Sequence, residues 1–199
     1  SAGQIPIDVQ ALNCDFYSAT GRKWLRGPRG TGFLYASKKA WSELTPAVLD
    51  LHSAELKSSL TYAIRNDARR FENWESSVAA QLALGAAVDY ALDIGLDAIW
   101  QRVQQLSSML RTQLSELPEI TVHDAGKEQC GIVTFSSKNE NPATIQQRLR
   151  KQNINVSMAV PSGTILDSEA RGLPQMIRAS THYYNTEDEV ERFVNAFGN

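Results

Sequence analysis

Thr20-Gly21-Arg22-Lys23-Trp24-Leu25-Arg26-Gly27-Pro28-Arg29-Gly30-Thr31-Gly32-Phe33-Leu34 is the stretch on which the reading of this chain turns. It joins two apolar runs, Cys14 to Ser18 and Gly32 to Ala36, which read as buried strands. Gly27, Gly30 and Gly32 together with Pro28 make the connection a tight turn rather than a helix. The turn carries one lysine among three arginines. An arginine beside a lysine favours the neutral, nucleophilic amine, and glycines let backbone approach a ligand closely. The residues alone leave two readings open. One is a Schiff-base lysine beside a phosphate site; the other is a basic hairpin that simply faces water.

Outward from this turn, the bulk properties narrow the class. With 199 residues the chain is long enough to bury a core as one domain or two small ones. A net charge of -2, with 21% of residues charged, gives no global basicity that would point to nucleic acid. Arg22, Lys23, Arg26 and Arg29 form a local cluster without interleaved aromatics. A nucleic-acid binder using Arg26 to Gly30 is the weakest of the functional readings, because the flanking runs look buried. Cys14 and Cys130 lie far apart in apolar surroundings, as buried free thiols of a reducing, cytoplasmic compartment do. His52, His123 and His182 are too scattered for metal-ligand spacing, so no metal is expected. No apolar run approaches the roughly 20 residues that span a bilayer, and no signal peptide or repeat is visible.

The coarse order of elements follows from caps and periods. Asp8 caps a single turn to Leu12, and Lys38 to Leu44 reads as a short helix. Residues 45–73 carry apolar fragments without a clean period, then the charged group Arg65, Arg69, Arg70 and Glu72. Ser76 or Ser77 opens a helix to about Ile94 whose many alanines imply close packing on more than one side. Gly95 suits its end. Leu96, Ile99, Val103, Leu106, Leu110, Leu114 and Leu117 repeat at three and four residues, giving a second long helix that stops before Pro118. The domain boundary is placed between residues 93 and 94. Beyond it, strands are expected at 120–123, 131–135, 154–160 and 176–181, with helices opened by Asn141-Pro142 and by the capping box Thr186-x-x-Glu189. Pro161 to Pro174 reads as a long loop.

Two segments carry a resemblance. Residues 1–9, S-A-G-Q-I-P-I-D-V, and residues 15–35, D-F-Y-S-A-T-G-R-K-W-L-R-G-P-R-G-T-G-F-L-Y, look like the class V aminotransferase family. R-A-S-T-H-Y-Y-N-T-E-D-E-V near the C-terminus is similar to that family's closing segment, so the resemblance spans essentially the whole chain. These are fold-type I enzymes dependent on pyridoxal 5′-phosphate, and they include cysteine desulfurases. The resemblance implies an α/β fold: the C-terminal part of a large cofactor-binding domain over residues 1–93, then a small α+β domain over 94–199. It also implies that most of the large domain precedes Ser1, with the acid that pairs with the cofactor's ring nitrogen and the ring that stacks on it. A homodimer acting on an amino acid is implied, without nucleic acid or membrane.

Residue by residue, the resemblance places Lys23 at the position of the lysine that carries the cofactor, and Thr20 and Arg22 at positions that contact its phosphate. Many desulfurases have His where Arg22 stands; arginine suits phosphate through its bidentate fork. Arg178 matches the arginine that holds a substrate carboxylate, and His182 and Asn185 belong to the same motif. An arginine in a surface ion pair and a satisfied structural histidine are the competing readings of Arg178 and His182. Some relatives place Gly-Thr after the Glu at position 72; here Asn73-Trp74-Glu75 stands instead. Desulfurases carry a nucleophilic cysteine before the terminal arginine strand, yet Ser157 to Arg171 contains none, and Cys130 falls in an apparent strand. The expected activity is therefore C–S lyase-like or epimerase/aminotransferase-like, with Lys23 as acid/base at the α-carbon, rather than that of a persulfide-forming desulfurase. The alternative is a catalytically incomplete aminotransferase-like fragment that dimerises or binds a partner.

Overall fold

A computed structural model describes residues 2–198; Ser1 and Asn199 lie outside the described residues. The chain divides into two compact units, Ser1–Leu96 and Asp97–Asn199.

The first unit is built on a hairpin of β1 (Phe16–Thr20) and β2 (Gly32–Ala36), paired antiparallel from Phe16↔Ala36 to Thr20↔Gly32. The first strand therefore sits two residues later than its apolar run suggests. The reason is local: Cys14 N–H closes a turn on the Val9 carbonyl at 3.4 Å, and Asp15 C=O receives Ser37 N–H at 2.8 Å. Pairing is thereby pushed out to the polar Ser18 and Thr20. Asp8 starts that turn as expected, its Oδ1 accepting from Gln10 N–H and Ala11 N–H. Helix α1 (Lys38–Glu43) is capped by Ser37, whose Oγ accepts from Ala40 N–H.

Residues 45–73 contain a second hairpin that no period announces: β3 (Ala54–Ser58) and β4 (Thr61–Ile64). Its large side chains are not buried on either face, with Leu56, Leu60 and Tyr62 at 63%, 91% and 61% exposure, so no alternation was imposed on the sequence. A 3-10 turn, Ala68–Phe71, follows and is tied by Arg70 to the Trp41 carbonyl. Helix α2 (Val78–Ile94) starts at the Ser77 cap and stops at Gly95, whose φ of +91° leaves the helical region. Apolar burial in this unit falls mostly on small groups, Ala36, Ala40, Ala54 and Ala91, with Leu25 as the large apolar exception among the described residues.

The second unit holds a true core. It runs through α3 (Leu96–Ser115), β5 (Ile120–Val122), β6 (Ile132–Ser137), α4 (Pro142–Lys151), β7 (Ser157–Ala159), α5 (Ile165–Arg171), β8 (Met176–Ser180) and α6 (Glu187–Asn195). The four strands form one antiparallel sheet in the order β5-β6-β8-β7. Leu106, Leu110 and Leu114 of α3 bury with Val133, Phe135 and Ile177 of the sheet, Ile145 and Leu149 of α4, and Val190 and Phe193 of α6. Phe135 meets Phe193 and Phe197 edge-on at 6.0 and 5.4 Å. Asn141 caps α4 and Thr186 forms a full capping box on α6, as their sequences require. Glu187 in the first turn of α6 meets Arg102 at 2.5 Å, which holds its carboxyl well below the usual range, at about 2.

Two expectations are corrected. The segment from Pro161 is not a loop: a 3-10 turn at Pro161–Gly163 leads into α5, which ends on Gly172 in the left-handed region. Only Ser168 of α5 is buried, and Ile165 and Leu166 stay exposed, so the helix has no apolar period to betray it. The strand expected over 154–160 shrinks to Ser157–Ala159, because Ile154 and Val156 pack on the core as connection before pairing with β8 begins.

Candidate active site

The turn between β1 and β2 is fixed by its own backbone. Gly21 N–H donates to the Thr31 carbonyl at 2.8 Å, Gly27 N–H to the Gly21 carbonyl at 2.8 Å, and Arg26 N–H to the Lys23 carbonyl at 3.0 Å. Thr31 Oγ donates to the Pro28 carbonyl at 2.7 Å. Side chains anchor it further. Leu25 is buried against Gly3, and the Arg26 guanidinium lies 4.9 Å from the Tyr90 ring centroid on α2. A Cβ at Gly21 would come within 2.4 Å of Thr31 Oγ and 2.6 Å of a Leu84 methyl, so a side chain there would displace both.

On this fixed turn the side chains of Arg22 and Lys23 are exposed, and neither hydrogen-bonds or ion-pairs with another described residue. Thr20 is half-buried, its hydroxyl only 3.5 Å from the Thr31 carbonyl. Thr20, Arg22 and Lys23 are thus gathered at one end of the hairpin, an arrangement of hydroxyl, guanidinium and amine that suits a phosphorylated carbonyl compound.

Gly32 closes the same hairpin, and a Cβ there would sit 2.4 Å from the Ala19 carbonyl oxygen. Backbone cannot yield as a side-chain tip can, so Gly32→Ala is expected to cost about 1–3 kcal/mol. Gly30→Ala meets open space and carries only the strain of φ +82°, about 1 kcal/mol. Urea unfolding should rank the two variants in that order; equal losses would contradict the close approach.

In the second unit Arg178 occupies an inner strand, paired with Thr134 of β6 on one side and Ser157 of β7 on the other. Ile177 and Ala179 face the core, so Arg178 stands on the opposite face of the sheet, exposed. Its side chain has no hydrogen bond or ion pair with other described residues, and its strand is not at the sheet's edge. His182 follows at the strand's end. Its N–H donates to Asn185 Oδ1 at 2.8 Å, its Nδ1 accepts from Tyr183 N–H, and its ring stacks on Tyr184 with centroids 4.3 Å apart. Asn185 in turn donates to Glu189 Oε2, and with the Thr186 N–H this keeps the Glu189 carboxyl below its ordinary range. His182 and Asn185 therefore link β8 to the start of α6.

The sequence profile of the class V aminotransferases matches residues 1–193. The chain belongs to the class V aminotransferase family. Among curated members, a cysteine desulfurase of Salmonella agona is 33% identical over 191 residues, covering 94% of this chain and 46% of the relative. The chain thus spans about half the length of the curated relatives it matches. Among solved structures, the apo cysteine desulfurase of Thermococcus onnurineus superposes with a TM-score of 0.88 at 26% identity, over 98% of this chain and 49% of that one. The cystine C-S lyase C-DES, solved with its product cysteine persulfide, gives 0.83 at 26% identity over 100% and 50%. A C-DES variant with glycine covalently linked to the pyridoxal phosphate cofactor gives 0.85 at 25% identity over 100% and 49%. The mixed α/β structure is accordingly that of the fold-type I pyridoxal-phosphate enzymes, over about half of their chains. Pyridoxal 5′-phosphate is the cofactor used by the family.

Some polar groups of the class V chain escaped the sequence reading. Arg111 lies inside the apolar stripe of α3 and is buried on Asp124, 2.6 Å away. Asp50 accepts N–H groups of His52, Ser53 and Trp74, and these bonds, Trp74 first, lower its carboxyl's affinity for protons. A polar residue interrupting an apolar stripe was the available signal for Arg111; Asp50 offered none. Among the described residues no group of His, Cys, Asp and Glu could hold a metal, and no helix is long and apolar enough to cross a membrane.

Proposed function

We propose that this chain is the C-terminal portion of a pyridoxal-phosphate enzyme acting on an amino acid, C–S lyase-like or epimerase/aminotransferase-like rather than a desulfurase that forms a persulfide on its own cysteine. The observation that carries the reading is the fixed hairpin turn that presents Lys23 without a partner beside Arg22 and Thr20. These residues fit the cofactor's phosphate and aldehyde: a guanidinium and a hydroxyl bind the one, an unpaired amine the other. Bound there, pyridoxal phosphate supplies an electron sink for the substrate's α-carbon. Lys23 takes and returns the α-proton, Arg22 and Thr20 hold the phosphate, and Arg178 orients the substrate carboxylate. His182 contributes to the shape of the substrate pocket.

Residues up to about 93 serve as the end of the large domain and the remainder as the small one. The first unit's thin core supports this. Ile5, Ile7, Val9, Tyr17, Leu25 and Leu92 line an apolar groove of about 510 Å³, and Leu51, Leu60 and Leu82 lie 70% or more exposed. Such surface is suited to burial by further polypeptide and by a second subunit of a homodimer.

The preference for a lyase-like outcome over a desulfurase rests on the sequence Ser157 to Arg171, which contains no thiol, and on Cys130, which is only partly accessible and whose carbonyl accepts from Arg111. The similar proteins include both cysteine desulfurases and a cystine C-S lyase, so likeness alone favours neither outcome. Product analysis tests it in the full-length gene product given pyridoxal phosphate and cystine or cysteine. Pyruvate and ammonia without alanine are expected, the sulfur leaving as hydrogen sulfide from cysteine or as cysteine persulfide from cystine; alanine with sulfur transferred to a protein thiol would reverse the assignment.

A further inference from the structure

The isolation of Arg178 has a cause in the surrounding charges. Its neighbour in register is Thr134, and antiparallel partners share a face with their Cβ atoms about 5 Å apart. Thr134 is held by Asp124, whose Oδ1 accepts from both Thr134 N–H at 2.8 Å and Thr134 Oγ–H at 2.6 Å. A carboxylate one residue removed from an exposed guanidinium would ordinarily capture it. Here Asp124 is already taken: Arg111 Nε donates to its Oδ2 at 2.6 Å, and both side chains are about nine-tenths buried. Arg111 is itself fixed, since its Nη2 also donates to the carbonyls of Cys130 and Ile132 at 2.6 and 2.8 Å. On the other flank Ser157 brings no charge.

We infer that Arg111 is a positioning residue: by neutralising and immobilising Asp124 it keeps the Arg178 guanidinium unpaired and available to a ligand carboxylate. The inference rests on the carboxylate-anchor reading of Arg178. Two arginines and one carboxylate are arranged so that the buried arginine consumes the carboxylate's charge and the exposed one is left over. Removing Arg111 leaves Asp124 as a poorly compensated charge, and Arg178 is the cation across the neighbouring register position that can turn to meet it.

Arginine side-chain NMR on the protein tests this, with the Arg178 Nε–H signal assigned by its loss in Arg178→Lys. In Arg111→Met the Arg178 signal should shift and its exchange with water slow before any ligand is added. Asp124→Asn added to Arg111→Met should return it to the wild-type position. Titration with L-alanine, with L-alaninamide as the control lacking a carboxylate, should show binding about fivefold weaker in Arg111→Met and restored in the double variant. An Arg178 signal unmoved in Arg111→Met would overturn the inference, as would weakening that persists in the double variant. If Arg111→Met does not fold, Arg111→Gln, which keeps donors for the carbonyls, is read by the same two criteria. A wild-type Arg178 signal that ignores L-alanine would instead refute the carboxylate reading, and the ligand-free comparison would still decide the role of Arg111.

Discussion

Lys23→Ala in the full-length gene product is expected to abolish stable attachment of pyridoxal phosphate and with it turnover. Dialysis should strip the visible absorbance that wild type retains, and activity should fall by about 10⁴-fold or more, since the same amine is assigned attachment and proton transfer. The turn itself should survive. Its backbone bonds involve the Lys23 carbonyl, not the amine, and its anchors are Leu25, Arg26 and the glycines. Far-UV circular dichroism and the unfolding midpoint should therefore remain within error of wild type. Retained absorbance in Lys23→Ala would move the attachment to another lysine.

Arg178→Ala carries the second large effect, of a different kind. Because the Arg178 side chain makes no hydrogen bond or ion pair with another described residue, its loss should cost little stability. A charge-assisted, bidentate carboxylate contact is worth about 2–4 kcal/mol, so KM for the amino acid should rise by about 30-fold to 1000-fold. Cofactor attachment at Lys23 should persist, and kcat should fall far less than KM rises. Arg178→Lys should recover part of the loss, since lysine restores the charge without the fork. Unchanged kinetics in Arg178→Ala would return Arg178 to the role of a surface cation.

The contrast between these variants mirrors what was legible in the sequence. The second unit's helices and strands could be read because one face of each is buried: Leu106, Leu110 and Leu114, then Phe135, Ile145 and Leu149, are all essentially inaccessible. Burial imposes the period that a reader sees. The hairpin of β3 and β4 and the helix α5 could not be read, since Leu56, Leu60, Ile165 and Leu166 remain exposed and no face selects an apolar residue. Caps were legible at Ser77, Asn141 and Thr186, where a side-chain oxygen accepts from a free N–H of the first turn, and not at α5, which starts without a side-chain cap.

The site was legible in part. Lys23 and Arg22 stood out as basic residues in a glycine turn, whereas the roles expected of Thr20 and Arg178 came from the family resemblance. What the sequence withheld were the groups that hold them. The Tyr90 ring under Arg26 and the Leu84 methyl against Gly21 come from α2, some sixty residues away in sequence on the order expected of tertiary contacts. The Asp124 carboxylate that serves Thr134 and Arg111 likewise joins three segments at once. Long-range partners of this kind leave no local period.

The central claim, that Lys23 is the cofactor's point of attachment, is tested most directly by borohydride reduction of the full-length gene product with pyridoxal phosphate, followed by peptide mapping. The account predicts one stoichiometric pyridoxyl label, on the peptide containing Lys23. A label on any other lysine, or no label, would contradict it.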